Sequence, residues 1–104
     1  MTISSAHTLT PAARTDLIEI WDYTRTTWSL QQAITYDDAL ADAFEALAAE
    51  PLRGLDLSDV RADYRRWSVG RHYIFYRQMS DTVEIVRILH QARDIDRHLP
   101  NTSK

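Results

Sequence analysis

Histidines, arginines and tyrosines are the side chains in this 104-residue sequence that can move a proton or grip an anion. The histidines are His7, His72, His90 and His98. Their spacing does not suit a metal, since there is no His-x-His, no His-Glu-x-x-His and no cysteine to supply a thiolate. Neither a metal nor another cofactor is expected. A serine nucleophile on a Gly-x-Ser-x-Gly elbow is excluded as well, because the only glycines are Gly54 and Gly70. The acidic side chains fall mostly on outward faces of helical segments, which argues against a catalytic carboxylate pair.

The remaining chemistry lies between Tyr64 and His90, where Arg65, Arg66, Arg71, Arg77 and Arg87 are woven among aromatic and β-branched residues. Three such runs are separated by turn signals at Val69-Gly70 and Ser80-Asp81, the pattern of a three-stranded antiparallel meander. Alternate residues of a strand share a face. Arg71, Tyr73, Phe75 and Arg77 are therefore expected on one side, with His72, Ile74 and Tyr76 on the other. In the last strand Val83, Ile85, Arg87 and Leu89 should oppose Glu84, Val86, Ile88 and His90. Val83–Leu89 is the most apolar run, so it is placed centrally and buried on both faces. Arginines and aromatics on one sheet face suit RNA, by phosphate pairing and base stacking, and equally suit a protein–protein hot spot. The structural alternative makes the aromatics core and pairs Arg87 with a helix carboxylate.

The elements that must position these residues come earlier in the chain. Ser5–Leu9 reads as a short edge strand. Thr10 can cap a helix with Pro11 at its first position, and Ala13, Leu17, Ile20, Trp21, Thr24 and Trp28 follow at helical spacing as core positions. A second helix opens on Ser29-x-x-Gln32 and carries the apolar stripe Ala33, Tyr36, Leu40, Ala43, Phe44 and Leu47 before Pro51 stops it. So short a link implies an antiparallel helical hairpin lying across one face of the sheet. Leu52–Asp63 reads as a loop, and Ile95 and Leu99 suggest a short C-terminal helical segment before a polar tail. The expected fold is α+β, in the order β-α-α-β-β-β, with the hairpin on a small antiparallel sheet and residues 1–104 forming one domain.

Charge is unevenly spread. Residues 1–60 carry three basic against ten acidic groups, and residues 61–104 carry nine basic against five acidic ones. This suggests a basic working face on an acidic body, but the net charge of −3 argues against a dedicated nucleic-acid binder, and no direct DNA binding is expected. No apolar run reaches the length of a membrane span and the N-terminus does not read as a signal peptide, so a cytoplasmic protein is expected.

The motifs Leu9-Thr10-Pro11-Ala12-Ala13-x-x-Asp16-Leu17-x-x-Ile20-Trp21-x-Tyr23, Leu40-x-x-x-Phe44-x-x-Leu47-Ala48-x-x-Pro51, Gly70-Arg71-His72-Tyr73-Ile74-Phe75-Tyr76-Arg77 and Ile85-Val86-Arg87-Ile88-Leu89-His90-x-x-Arg93-Asp94 occur in this order. Together they resemble the ParE branch of the RelE/ParE superfamily of toxins from type II toxin–antitoxin modules, over about Leu9 to Leu99. The resemblance implies the architecture derived above. It also implies a growth-inhibiting toxin that acts on DNA gyrase by protein–protein contact and is neutralised by a cognate ParD-like antitoxin in a hetero-oligomer. Arg71, Tyr73, Arg77, Arg87 and Arg93 are then the residues expected to bind a partner. RelE-like members are instead metal-independent ribonucleases acting on messenger RNA at the ribosome. Under that alternative Arg65, Arg87, His90 and His98 become the catalytic set. Tyr73 stands where a nuclease would carry arginine, and Gln91-Ala92 replaces a dense basic cluster after the last strand, which favours the gyrase-directed branch.

Overall fold

The computed structural model describes residues 6–92. Its order is β1 (Ala6–Leu9), α1 (Pro11–Thr27), α2 (Leu30–Ala49), a 3-10 turn (Pro51–Arg53), β2 (Leu55–Asp56), β3 (Arg65–Val69), β4 (His72–Gln78) and β5 (Thr82–His90). Both helix starts follow from the local sequence. The Thr10 hydroxyl accepts the Ala13 N–H at 3.1 Å and donates to the Val86 carbonyl at 2.7 Å, while its own N–H bonds Ile85 O. One residue thus ends β1, caps α1 and pins both to β5. Ser29 caps α2 by accepting the Gln32 N–H at 3.0 Å, leaving Trp28 and Ser29 alone between the helices.

The five strands lie in the order β1-β5-β4-β3-β2. Two expectations need correction here. The sheet is mixed, because β1 runs parallel to β5, from Ala6 beside Thr82 to Leu9 beside Ile85. A parallel neighbour requires a crossover, and the helical hairpin begins one. The stretch read as a loop contains the 3-10 turn and the edge strand β2, paired antiparallel with Arg65 and Arg66 of β3. A two-residue strand has no alternation by which a sequence could announce it. The expected C-terminal helical segment lies outside the described residues.

The hairpin covers one face of the sheet. Ala13, Leu40, Phe44 and Leu47 from the helices meet Ile74, Tyr76, Val83, Ile85 and Ile88 from the strands. The other face gathers Phe75, Val86 and Leu89 with Leu57 and Tyr64 of the β2–β3 connection. β5 is therefore buried on both faces, as its composition predicts, but it is not the central strand: β4 holds the middle of the order, and β5 has only the short β1 on its other side. The expected alternation along β5 nevertheless fails. A bulge sets Phe75 opposite Arg87 but Tyr76 opposite Ile85, so Val86 is an extra residue. Parity changes there: Leu89 joins Val86 on the outer side, and Ile88 joins Val83 and Ile85 beneath the helices.

One buried hydroxyl at the far end of the sheet is matched on both counts. The Tyr76 hydroxyl, inside the core, donates to Pro51 O at 2.7 Å and accepts Gly54 N–H at 2.8 Å. Burial raises the pKa of this phenol above the ordinary tyrosine value.

Candidate functional site

β1 stops at Leu9, so the edge of β5 beyond Ile85 has no strand beside it. Asp16, 7% exposed on α1, fills the gap with its carboxylate, which accepts the Ile88 N–H at 2.9 Å. The same carboxylate takes Arg87 in a two-pronged pair, Nε to Oδ2 at 2.7 Å and NH2 to Oδ1 at 2.9 Å. That bond raises the Arg87 pKa further, so the guanidinium is a permanent cation. Arg87 is thus a structural clasp between α1 and β5. Of the two roles open to it from sequence, the pairing with a helix carboxylate is the one the fold adopts.

Past this clasp, the second half of α1, the start of α2, the β3–β4 turn and the end of β5 enclose a cleft of about 690 Å³. Tyr23 and Trp28 line it and stay 64% and 70% exposed. Trp28 is therefore not a core residue, contrary to its helical spacing. It is the C-cap of α1, where the helical stripe runs out beyond the body it packs on. Ile20 is half-buried against the core at the base of the cleft, and Arg71 is exposed on the turn.

The polar floor of the cleft is built by Tyr36, His72 and His90. The Tyr36 hydroxyl lies 2.8 Å from Val69 O and 2.7 Å from His72 Nδ1. His72 and His90 are cross-strand partners whose rings meet edge to face at 5.5 Å. Burial, then the neighbouring His90, holds His72 below the ordinary histidine range, with Asp16 opposing weakly. Burial raises the Tyr36 phenol, offset in part by the Arg71 and His72 backbone N–H groups. Gly70 makes this approach feasible. Its φ is +54°, and a Cβ there would stand 2.7 Å from the Tyr36 ring.

The outer face treats its basic residues differently. Arg66 stacks over Tyr73 at 4.1 Å, and Tyr73 meets Phe75 edge-on at 5.9 Å. Arg77 bonds Glu84 at 2.8 Å and lies 5.6 Å over Tyr64. Arg65, on the opposite face of β3 with Trp67 and Val69, donates to the Gly54 carbonyl at 2.9 Å.

The expected partner-binding residues are therefore dispersed. Arg71 stands on the cleft, Tyr73 and Arg77 belong to the outer stack, Arg87 is the clasp, and Arg93 lies outside the described residues. The set expected of a ribonuclease does not converge either. Arg65 pairs with Tyr76, four residues along β3 from the end that meets His72 and His90, a separation of roughly 13 Å at strand rise. His98 lies outside the described residues. Sequence reasoning missed Tyr36, read as one of the apolar stripe, and Asp16, although its place three residues after Ala13 and four before Ile20 puts it on the inward face of α1. Among the described residues no three His, Asp or Glu side chains gather closely enough to hold a metal ion, and no helix is long and apolar enough to cross a membrane.

Comparison with known proteins agrees with this architecture. A solved structure titled "Chromosomal ParDE TA system from P. aeruginosa" superposes with a TM-score of 0.72, covering 84% of this chain and 96% of that one. At 16% identity the likeness speaks for the fold. Sequence relatives carry more. Toxin ParE1 of Mycobacterium tuberculosis is 42% identical over 98 residues, spanning 93% of this chain and 100% of the relative. Toxin ParE1 of Caulobacter vibrioides is 38% identical over 91 residues, 88% of this chain and 94% of the relative. Residues 8–95 match the family described as ParE toxin of type II toxin-antitoxin system, parDE. That match runs from β1 through the clasp and the cleft, and with it the chain belongs to the ParE toxin family of type II toxin–antitoxin systems.

Proposed function

We propose that this chain inhibits DNA gyrase through protein–protein contact and is silenced by a cognate ParD-like antitoxin. The observation that carries the reading is the dispersal of the basic set. A metal-independent nuclease must aim cations and an acid–base pair at one phosphate. Here Arg87 is committed to Asp16 and Arg65 to the Gly54 carbonyl, away from His90. The cleft instead offers Tyr23, Trp28 and Arg71, the residue types that dominate binding energy at protein interfaces. We assign partner binding to these three.

The test is a supercoiling assay with purified protein and gyrase, run beside a message-cleavage assay on translating ribosomes. Loss of supercoiling with intact message is expected. Intact supercoiling with cut message would overturn the reading and direct attention to His90 and Arg71. Arg71→Glu combined with Trp28→Ala should weaken inhibition or antitoxin binding while the unfolding midpoint is held. A folded double variant with both properties unchanged would remove the cleft from the interface.

A further inference from the structure

We propose that the cleft takes an extended segment of a protein partner, added beside the end of β5 as a short parallel strand in line with β1. The inference rests on the assignment of the cleft to partner binding, and it names the conformation and chemistry of what enters.

The ladder decides which backbone groups face the cleft. Gln91 N–H bonds Arg71 O at 3.0 Å, so Gln91 faces β4, and the facing alternates along a strand. Leu89 and Arg87 therefore face β4 too, whereas Ile88 and His90 face the side that β1 has left open. The Ile88 N–H agrees with this parity, since it turns to Asp16. Next along the same edge come the Ile88 carbonyl and the His90 N–H. Among the described residues neither has a hydrogen-bond partner. Ile88, Leu89 and His90 all line the cleft, although the Leu89 side chain belongs to the outer cluster. The cleft thus runs along the strand edge and reaches its backbone.

In a parallel ladder, one residue donates its N–H to a carbonyl and accepts, at its own C=O, the N–H two positions further on. The Ile88 carbonyl and His90 N–H are such a pair, spaced to receive a single residue beside Leu89. The Asp16 carboxylate occupies the place of the preceding strand residue's carbonyl. β1 already uses this edge in the same direction.

Paired residues of a sheet point the same way. The residue beside Leu89 therefore turns outward, and its two neighbours turn into the cleft, where Tyr23 and Trp28 are bare. Charge sets the order of those neighbours. Asp16 and, three residues on, Glu19 stand at the end where Arg87 is held, and exposed Arg71 stands beyond His90 with no ion pair among the described residues. The occupant carries an apolar or aromatic residue beside Ile88 and, two positions later, an acidic one toward Arg71.

A random-peptide library displayed on phage and selected against the full chain supplies the probe. The selected peptide is then resynthesised with a single N-methyl group at each position in turn. An acidic residue two positions after an apolar or aromatic one is expected. N-methylation of the residue between them should weaken binding about tenfold, and N-methylation of either of the two should not, because their N–H groups face away from β5. Binding should also slow amide exchange at His90, and Trp28→Ala or Arg71→Glu should lose the peptide while the unfolding midpoint is held. Sensitivity at consecutive positions marks a helical occupant, which would overturn the strand and keep the cleft as a binding site. A His90 amide already protected in the free chain, covered by the chain itself or by a second copy, would overturn the proposal. So would a selection that yields no peptide dependent on Trp28 and Arg71. Failure of the gyrase reading shows separately, as intact supercoiling by a chain that still binds the peptide along β5.

Discussion

The two sides of this sheet dispose of similar residues in opposite ways. On the outer side each arginine lies against a ring or an acceptor: Arg66 over Tyr73, Arg77 between Glu84 and Tyr64. On the helix side, past the clasp, polar groups are satisfied by one another through Tyr36, and large aromatic surface at Tyr23 and Trp28 is left bare. The outer side is therefore a finished surface and the cleft an unfinished one. Cationic character alone does not mark a working site, because a stacked or paired arginine is stabilising the fold.

The contrast can be broken most severely at the clasp. Arg87→Ala leaves a buried Asp16 carboxylate without its countercharge and should destabilise the domain by about 3 kcal/mol, read as a lowered urea midpoint. Next is Tyr76→Phe, which strands the Gly54 N–H and the Pro51 carbonyl. A loss of about 1–3 kcal/mol is expected, with the cleft chemistry unaffected.

The cleft differs from the outer side in its response to acid. Burial holds His72 below the ordinary histidine value, so the unfolded chain binds that proton more tightly. Its contribution to stability is complete above the unfolded value of about 6.5 and is lost as pH falls through the lower folded value. Urea midpoints on either side of this window should fall with acid in the parent and fall less in His72→Gln. The smallest effect belongs to the outer stack. Arg66→Ala removes a part-exposed cation–π contact and should cost about 0.5–1 kcal/mol in the same measurement. A larger loss there than at Arg87 would invert the distinction drawn between the two sides.

Much of this was legible in advance for local reasons. Thr10-Pro11 and Ser29-x-x-Gln32 are caps whose hydrogen bonds span three residues, so the sequence contains both partners. The α2 stripe from Ala33 to Leu47 predicts its buried face, and Val83–Leu89 predicts a strand buried on both faces, because burial and composition are directly coupled there. Gly70 announces a turn. The site was less legible. Trp28 fits a helical stripe, and nothing in the stripe says where the supporting sheet ends. Tyr36 looks apolar by position while its hydroxyl works 33 residues away at Val69.

By itself, then, the sequence determined the two helices, the meander, their order and the family resemblance. Each depends on periodicity, capping or motif, which are properties of neighbouring residues. Only the tertiary structure decided that β1 runs parallel to β5, that a bulge at Val86 swaps the faces of β5, and that Asp16 completes the sheet edge for Arg87 and Ile88. It alone brought Tyr36, His72 and His90 onto one cleft floor. Those outcomes depend on pairing between residues up to 76 positions apart, where register and strand ends, rather than local propensity, select the partner.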